Sequence, residues 1–174
     1  MQFVIKFQTD HLKKALAAVR RATENPTGLL ESVGETLLAA NRRRHESGVD
    51  PEGNKWKELA ESTKRFGGKR RGGVLKKSGD MLAAFHYSVD SDVLRLGFDG
   101  ERDSKLADIH HDGTDPYTIL PKNKKALAFM GVVRKRVNHP GLEARPLVGF
   151  PGPDQKLTAD TTEDYLVTIL NRVR

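Results

Sequence analysis

Residues 2–7 alternate, with Phe3, Ile5 and Phe7 on one face and Gln2, Val4 and Lys6 on the other. A period of two predicts a half-buried strand. Thr9-Asp10 then offers a helix start, and Leu12, Ala15, Leu16 and Val19 follow at helical spacing as the inward stripe. Pro26-Thr27-Gly28 interrupts before a longer helix that turns Leu30, Val33, Leu37 and Leu38 inward and runs out through Asn41-Arg42-Arg43-Arg44. Cations at a helix C-terminus suit the dipole, so capping electrostatics alone account for that arginine run.

From Gly48 to Gly73 the pattern is punctuated. Asp50-Pro51-Glu52-Gly53 is turn chemistry, and Trp56 and Leu59 are the apolar anchors of an otherwise polar excursion. Ser78-Gly79-Asp80 precedes a short helix through Ala84. Phe85–Val89 and Val93–Phe98 flank Asp90-Ser91-Asp92 as a β-hairpin. A further helix is expected from Ser104 to His110, with Leu106 and Ile109 inward. Residues 126–130 and 132–137 read as two more strands meeting near Gly131. Asp160 and Glu163 have capping-box spacing ahead of a last helix whose stripe is Tyr165, Leu166, Ile169, Leu170 and Val173. There is no internal repeat.

Helices toward both ends with strands between them predict an α+β fold, an antiparallel sheet of four to five strands with long helices packed on one face. At 174 residues the expectation is one domain, residues 1–174, with a flexible basic excursion at about 48–77.

Composition narrows the function classes. The hydrophobic fraction of 37% and mean hydropathy of −0.57 lie on the polar side, so much surface is solvated or faces partners. No apolar run reaches the roughly 18 residues of a membrane span. The N-terminus lacks the basic start and apolar middle of a signal peptide, so the expected compartment is the cytoplasm. The absence of cysteine removes disulfides, thiolate metal sites and thiol nucleophiles together.

The net charge is +7, and between Lys64 and Lys77 lie seven cations and no acid. Within that stretch, four glycines flank Lys69, Arg70 and Arg71, a segment that cannot build a core. Three readings stand open for it: contact with DNA phosphates, contact with an acidic protein neighbour, or a solvated loop. No aromatic side chains interleave to make a base-stacking platform.

Candidate chemistry is sparse. His110-His111-Asp112, with His139 farther on, are metal-ligand types. Adjacent helical residues point about 100° apart, however, so the two histidines are poorly placed to share one ion. Packing or capping at a helix end accounts for them. No G-x-S-x-G elbow and no nucleotide-binding glycine loop is present. Nothing in the spacing of Asp108, Asp112 and Asp115 singles out an acid/base pair. The expectation is a protein without catalysis, cofactor or metal.

Four segments carry a resemblance. Arg43-Arg44-His45-Glu46-Ser47-Gly48 followed by Asp50-Pro51-Glu52-Gly53-Asn54-Lys55-Trp56 resembles a helix exit and a D-P-x-G-x-x-W turn. Leu75-Lys76-Lys77-Ser78-Gly79-Asp80-Met81 resembles an L-x-x-S/T-G-x-L/M segment. Residues 106–113 resemble a Y-A-x-I-H-x-x-G helix with Leu106 in place of the aromatic. His139-Pro140-Gly141 and Ala144-Arg145-Pro146-Leu147-Val148-Gly149 resemble an H-P-G … A-R-P-F-L-G run, with Leu147 where phenylalanine is common. In this order they resemble the phage virion morphogenesis (tail completion) family of Mu-like and related tailed phages, from about Leu12 to the C-terminus. The 67–73 loop is longer and more basic than the family pattern.

The resemblance implies a structural virion protein in the tail or neck, made in the host cytoplasm. It completes the tail and joins it to the head-side connector as a ring subunit, commonly sixfold. Its implied partners are further copies of itself, the tail tube protein and the head–tail connector proteins, with DNA passing through the lumen and no membrane. The alternatives are a transient assembly factor absent from the finished particle and a basic, non-specific DNA-binding module. Candidate interface or structural anchors are Trp56, His110, Arg145 and Pro146. Trp56 fits either the core edge or a site under a neighbouring subunit. Proline biases Arg145 toward extended geometry, which either presents its guanidinium to a carboxylate of this chain or the next, or simply ends a strand.

Overall fold

The structure, a computed structural model, describes residues 9–66 and 73–173. The alternating segment 2–7 and the cations Lys69, Arg70 and Arg71 lie outside the described residues. The chain is α+β: helices α1 (Asp10–Glu24), α2 (Thr27–Ser47), α3 (Glu61–Phe66) and α4 (Asp80–Ala83), strands β1 (Phe85–Asp90) and β2 (Val93–Phe98), helix α5 (Glu101–Asp112), strands β3 (Tyr117–Ile119), β4 (Leu127–Phe129), β5 (Val132–Arg134) and β6 (Val137–His139), and helix α6 (Gly152–Asn171). It divides into two compact units, one of residues 1–40, 87–96 and 151–174, the other of 41–86 and 97–150.

In the first unit α1 packs against α6. Val33, Leu37, Leu38 and Ala40 of α2 are buried. Gly34 lies under the Tyr87 ring and Gly28 under the Tyr165 hydroxyl, where a β-carbon would stand 2.4 Å and 2.7 Å from its neighbour. The predicted α1 stripe is corrected. Ala18 is the buried residue and Ala15 and Val19 are half-buried, whereas Leu12 and Leu16 face outward. The last helix begins at Gly152, eight residues before Asp160, because Pro153 in its first turn needs no amide partner there. Asp160 is therefore a mid-helix residue bonded to Lys156.

The second unit is built on Trp56, Met81, Ala107 and Leu147, with Val74, Leu75, Leu82, Phe98, Leu106 and Val148 packed around them. Phe85 is fully buried. In α5 it is Ala107 that points inward, and Ile109 is exposed.

The strands do not join into one sheet. The described residues form three two-stranded sheets, β1–β2, β3–β6 and β4–β5. The last two are successive parts of one antiparallel ribbon. The Thr114–Leu142 bridge and the pairs Tyr117–His139 through Ile119–Val137 keep a single register. Beyond them, residues 120–126 face only 135–136, and pairing resumes at Leu127–Arg134. The expected strand at 132–137 is thus two strands with different partners. Met130 and Gly131, both with positive φ (49° and 77°), close the tip.

Candidate functional site

Asp50-Pro51-Glu52-Gly53 folds back as the sequence pattern requires. The Gly53 amide donates to the Asp50 carbonyl, and both Asn54 nitrogens donate to the Asp50 carboxylate at 2.8 and 3.1 Å. Gly53 takes φ 88°. Val49 pairs with Lys55, and the Trp56 amide donates to Gly48 at the end of α2. The turn therefore returns the chain to the helix it left and drives the indole into the core, where Trp56 is 7% exposed.

Two helices, α2 and α5, meet the Trp56 turn along the segment 145–147. The Trp56 indole Nε1 donates to the Pro146 carbonyl (3.1 Å). The Arg145 Nε and one terminal nitrogen both donate to the Lys57 carbonyl (3.3 Å each), and the Arg145 amide donates to the His110 carbonyl (2.7 Å). The Leu147 amide donates to His111 Nδ1 (3.2 Å), and His45 Nε2 donates to the Leu147 carbonyl (2.8 Å). Trp56, His110, Arg145 and Pro146 thus meet at one strap that ties α2, the 50–56 turn and the end of α5 together. Arg145 is buried and grips a main-chain carbonyl; among the described residues no carboxylate pairs with it.

His45 is the strap residue that sequence reasoning missed. It is 3% exposed, ringed by Trp56, Phe85 and Phe98 at centroid distances of 5.9, 5.1 and 6.2 Å. Its Nδ1 is buried without a hydrogen-bond partner among the described residues. Burial holds its pKa below the ordinary histidine value, with Arg44 and Lys76 pushing the same way against the Leu147 hydrogen bond. The one signal was position: it lies in the last turn of a helix, just ahead of the D-P-x-G turn.

His110 and His111 diverge, as adjacent helical residues should. His111 serves the strap, whereas His110 lines a cleft of about 730 Å³ with Leu59, Val74, Met81, Leu106 and Arg145. His110 Nδ1 has no hydrogen-bond partner among the described residues, and burial first and the Arg145 charge second hold its pKa below the ordinary value. Among the described residues the cleft carries as many acids (Glu58, Asp80, Asp103, Glu143) as lysines and arginines (Lys57, Lys77, Arg102, Arg145). Among the described residues no group of three His, Asp or Glu side chains is arranged to hold a metal.

The glycines beside these residues root the ribbon. Gly113 (φ 76°) and Gly141 (φ 87°) flank the Thr114–Leu142 bridge, whose two amides donate across at 2.8 and 3.1 Å. A β-carbon on either would run into opposing main-chain atoms. Next along, the Tyr117 and His139 rings stack at 4.8 Å.

Comparisons with curated proteins and with solved structures returned no match. The model of the phage virion morphogenesis family matches residues 7–167. That span takes in every element of the strap and the ribbon, and ties the protein to the structure or assembly of a phage virion. On that match over nearly all of its length, the chain belongs to the phage virion morphogenesis family.

Proposed function

We propose that this chain is a structural subunit of the virion, one copy in a sixfold ring that completes the tail and joins it to the head-side connector, and that it makes and breaks no bonds. The observation that carries this reading is how the motif residues are engaged. Trp56, Arg145 and His111 each bond a main-chain group of the same chain, at Pro146, Lys57 and Leu147. Side chains committed to main-chain partners in this way fix a shape and are not themselves poised as a nucleophile beside a base. A shape that rigid suits a part that works by docking. Ring closure needs two unlike, complementary patches on each subunit. The partners in this reading are like copies, the tail tube protein and the connector, around a lumen that passes DNA.

Quantitative mass spectrometry of purified particles tests the proposal. A fixed copy number per particle that closes a ring is expected. Absence from finished particles would make the protein a transient assembly factor instead.

A further inference from the structure

The ribbon tip is largely exposed. Five of the six residues in β4 and β5 are exposed. They include Phe129, Val132 and Val133, with Met130 exposed at the turn between them. A two-stranded hairpin with apolar side chains exposed on both faces is marginal in water, and such exposure suits a contact. Lys122, Lys124, Lys125, Arg134, Lys135 and Arg136 follow toward the base; all are exposed, none pairs with an acid among the described residues, and residues 116–142 contain no acid.

The complementary surface is on the same chain. By sequence the second unit carries 21 lysines and arginines against 13 acids, and the first unit 9 against 10. In the first unit, one face of α6 exposes Asp160, Glu163 and Asp164 and then Val167 and Leu170. Glu163 and Asp164 have no ion-pair partner among the described residues. This face spans about 15 Å at the rise of a helix, and the arm from Lys125 to Met130 about 17 Å at the rise of a strand.

We infer that the β4–β5 hairpin is an arm that docks on α6 of a second copy, its apolar tip on Val167 and Leu170 and its cations on Asp160, Glu163 and Asp164. This inference rests on the ring reading and names the contact that closes it, a heterologous interface between an arm and an acidic helix. A protein surface fits better than DNA, because bare apolar side chains at the tip gain nothing from phosphates. The acidic positions of α5 lie in the same strongly basic unit as the arm, so α6 is the better electrostatic match.

A charge-swap experiment decides it, read as particle mass by light scattering, with isolated tails added if the free chain does not self-associate. One variant carries Lys124→Glu, Lys125→Glu, Arg134→Glu and Lys135→Glu; the other carries Asp160→Lys, Glu163→Lys and Asp164→Lys. Each alone should stay monomeric with an unchanged circular dichroism spectrum, and an equimolar mixture should recover the wild-type mass. Because the chain has no cysteine, Val133→Cys with Val167→Cys should also give covalent oligomers on mild oxidation. Assembly of both charge variants as in wild type would overturn the arm while leaving the ring intact. So would a mixture no better than its parts, or an arm variant that loses only DNA binding. A wild-type chain that stays monomeric even beside tails would overturn the ring reading itself.

Discussion

The indole nitrogen of Trp56 donates to the carbonyl of Pro146, 90 positions along the chain, at 3.1 Å. That bond closes the core of the second unit over the strap. Trp56→Phe should lower stability by about 1–2 kcal/mol, since the buried Pro146 carbonyl loses its donor. Trp56→Ala adds a cavity and should cost about 3–5 kcal/mol. Urea unfolding checks both; a Trp56→Phe variant as stable as wild type would mean the hydrogen bond contributes nothing, and equal losses for the two would mean the cavity adds nothing.

Stability should fall in mild acid. His45 and His110 both have folded pKa values below 6.5, mainly through burial. A histidine shifted this way is fully stabilising above its unfolded pKa. Below it the unfolded chain binds more protons, so stability drops by up to about 1.4 kcal/mol per pH unit for each group until the folded pKa is passed. Urea midpoints at pH 7.5 and 5.5 measure this; a midpoint unchanged or higher at pH 5.5 would contradict it.

The Arg145 charge acts on His110 directly. Arg145→Met should therefore raise the His110 pKa toward its ordinary value, read by NMR titration of the ring protons. It should also destabilise the fold, because the Lys57 carbonyl loses both of its guanidinium donors. A His110 pKa that stays put would show that burial alone sets it.

Two classes of positive-φ glycine should separate. Gly131 at the arm tip has open space around its would-be β-carbon, so Gly131→Ala meets only the backbone penalty, about 1 kcal/mol. Gly113→Ala and Gly141→Ala must also displace opposing backbone and should cost distinctly more, about 2–4 kcal/mol. Thermal unfolding of the three variants ranks them. Parity among them would mean the ribbon root yields freely.

Much of this was legible in the residue pattern. Apolar spacing placed α1, α2 and α5, the 85–98 hairpin followed from its turn, and Trp56 was read as an anchor. What escaped has physical causes. Leu12 and Leu16 are at helical spacing, yet small alanines take the buried side of α1, and periodicity does not distinguish which of two adjacent stripes faces inward. Short β3 and β6 have no long alternation, and their pairing depends on two glycines that let backbones touch. The strap was half-visible: Trp56, His110, Arg145 and Pro146 could be picked out, but what they engage are main-chain groups, the carbonyls of Pro146 and Lys57 and the amide of Arg145, which carry no side-chain signature. The cations at 122–136 were overshadowed by the denser run at 64–77, and only the hairpin shows that they share an arm with bare apolar side chains.

Reconstruction of the tail–head junction by electron cryo-microscopy at side-chain resolution tests the central claim most directly. The account predicts a closed ring of six copies between tail tube and connector. A finished junction built without this chain, or with a lone unrepeated copy, would contradict it.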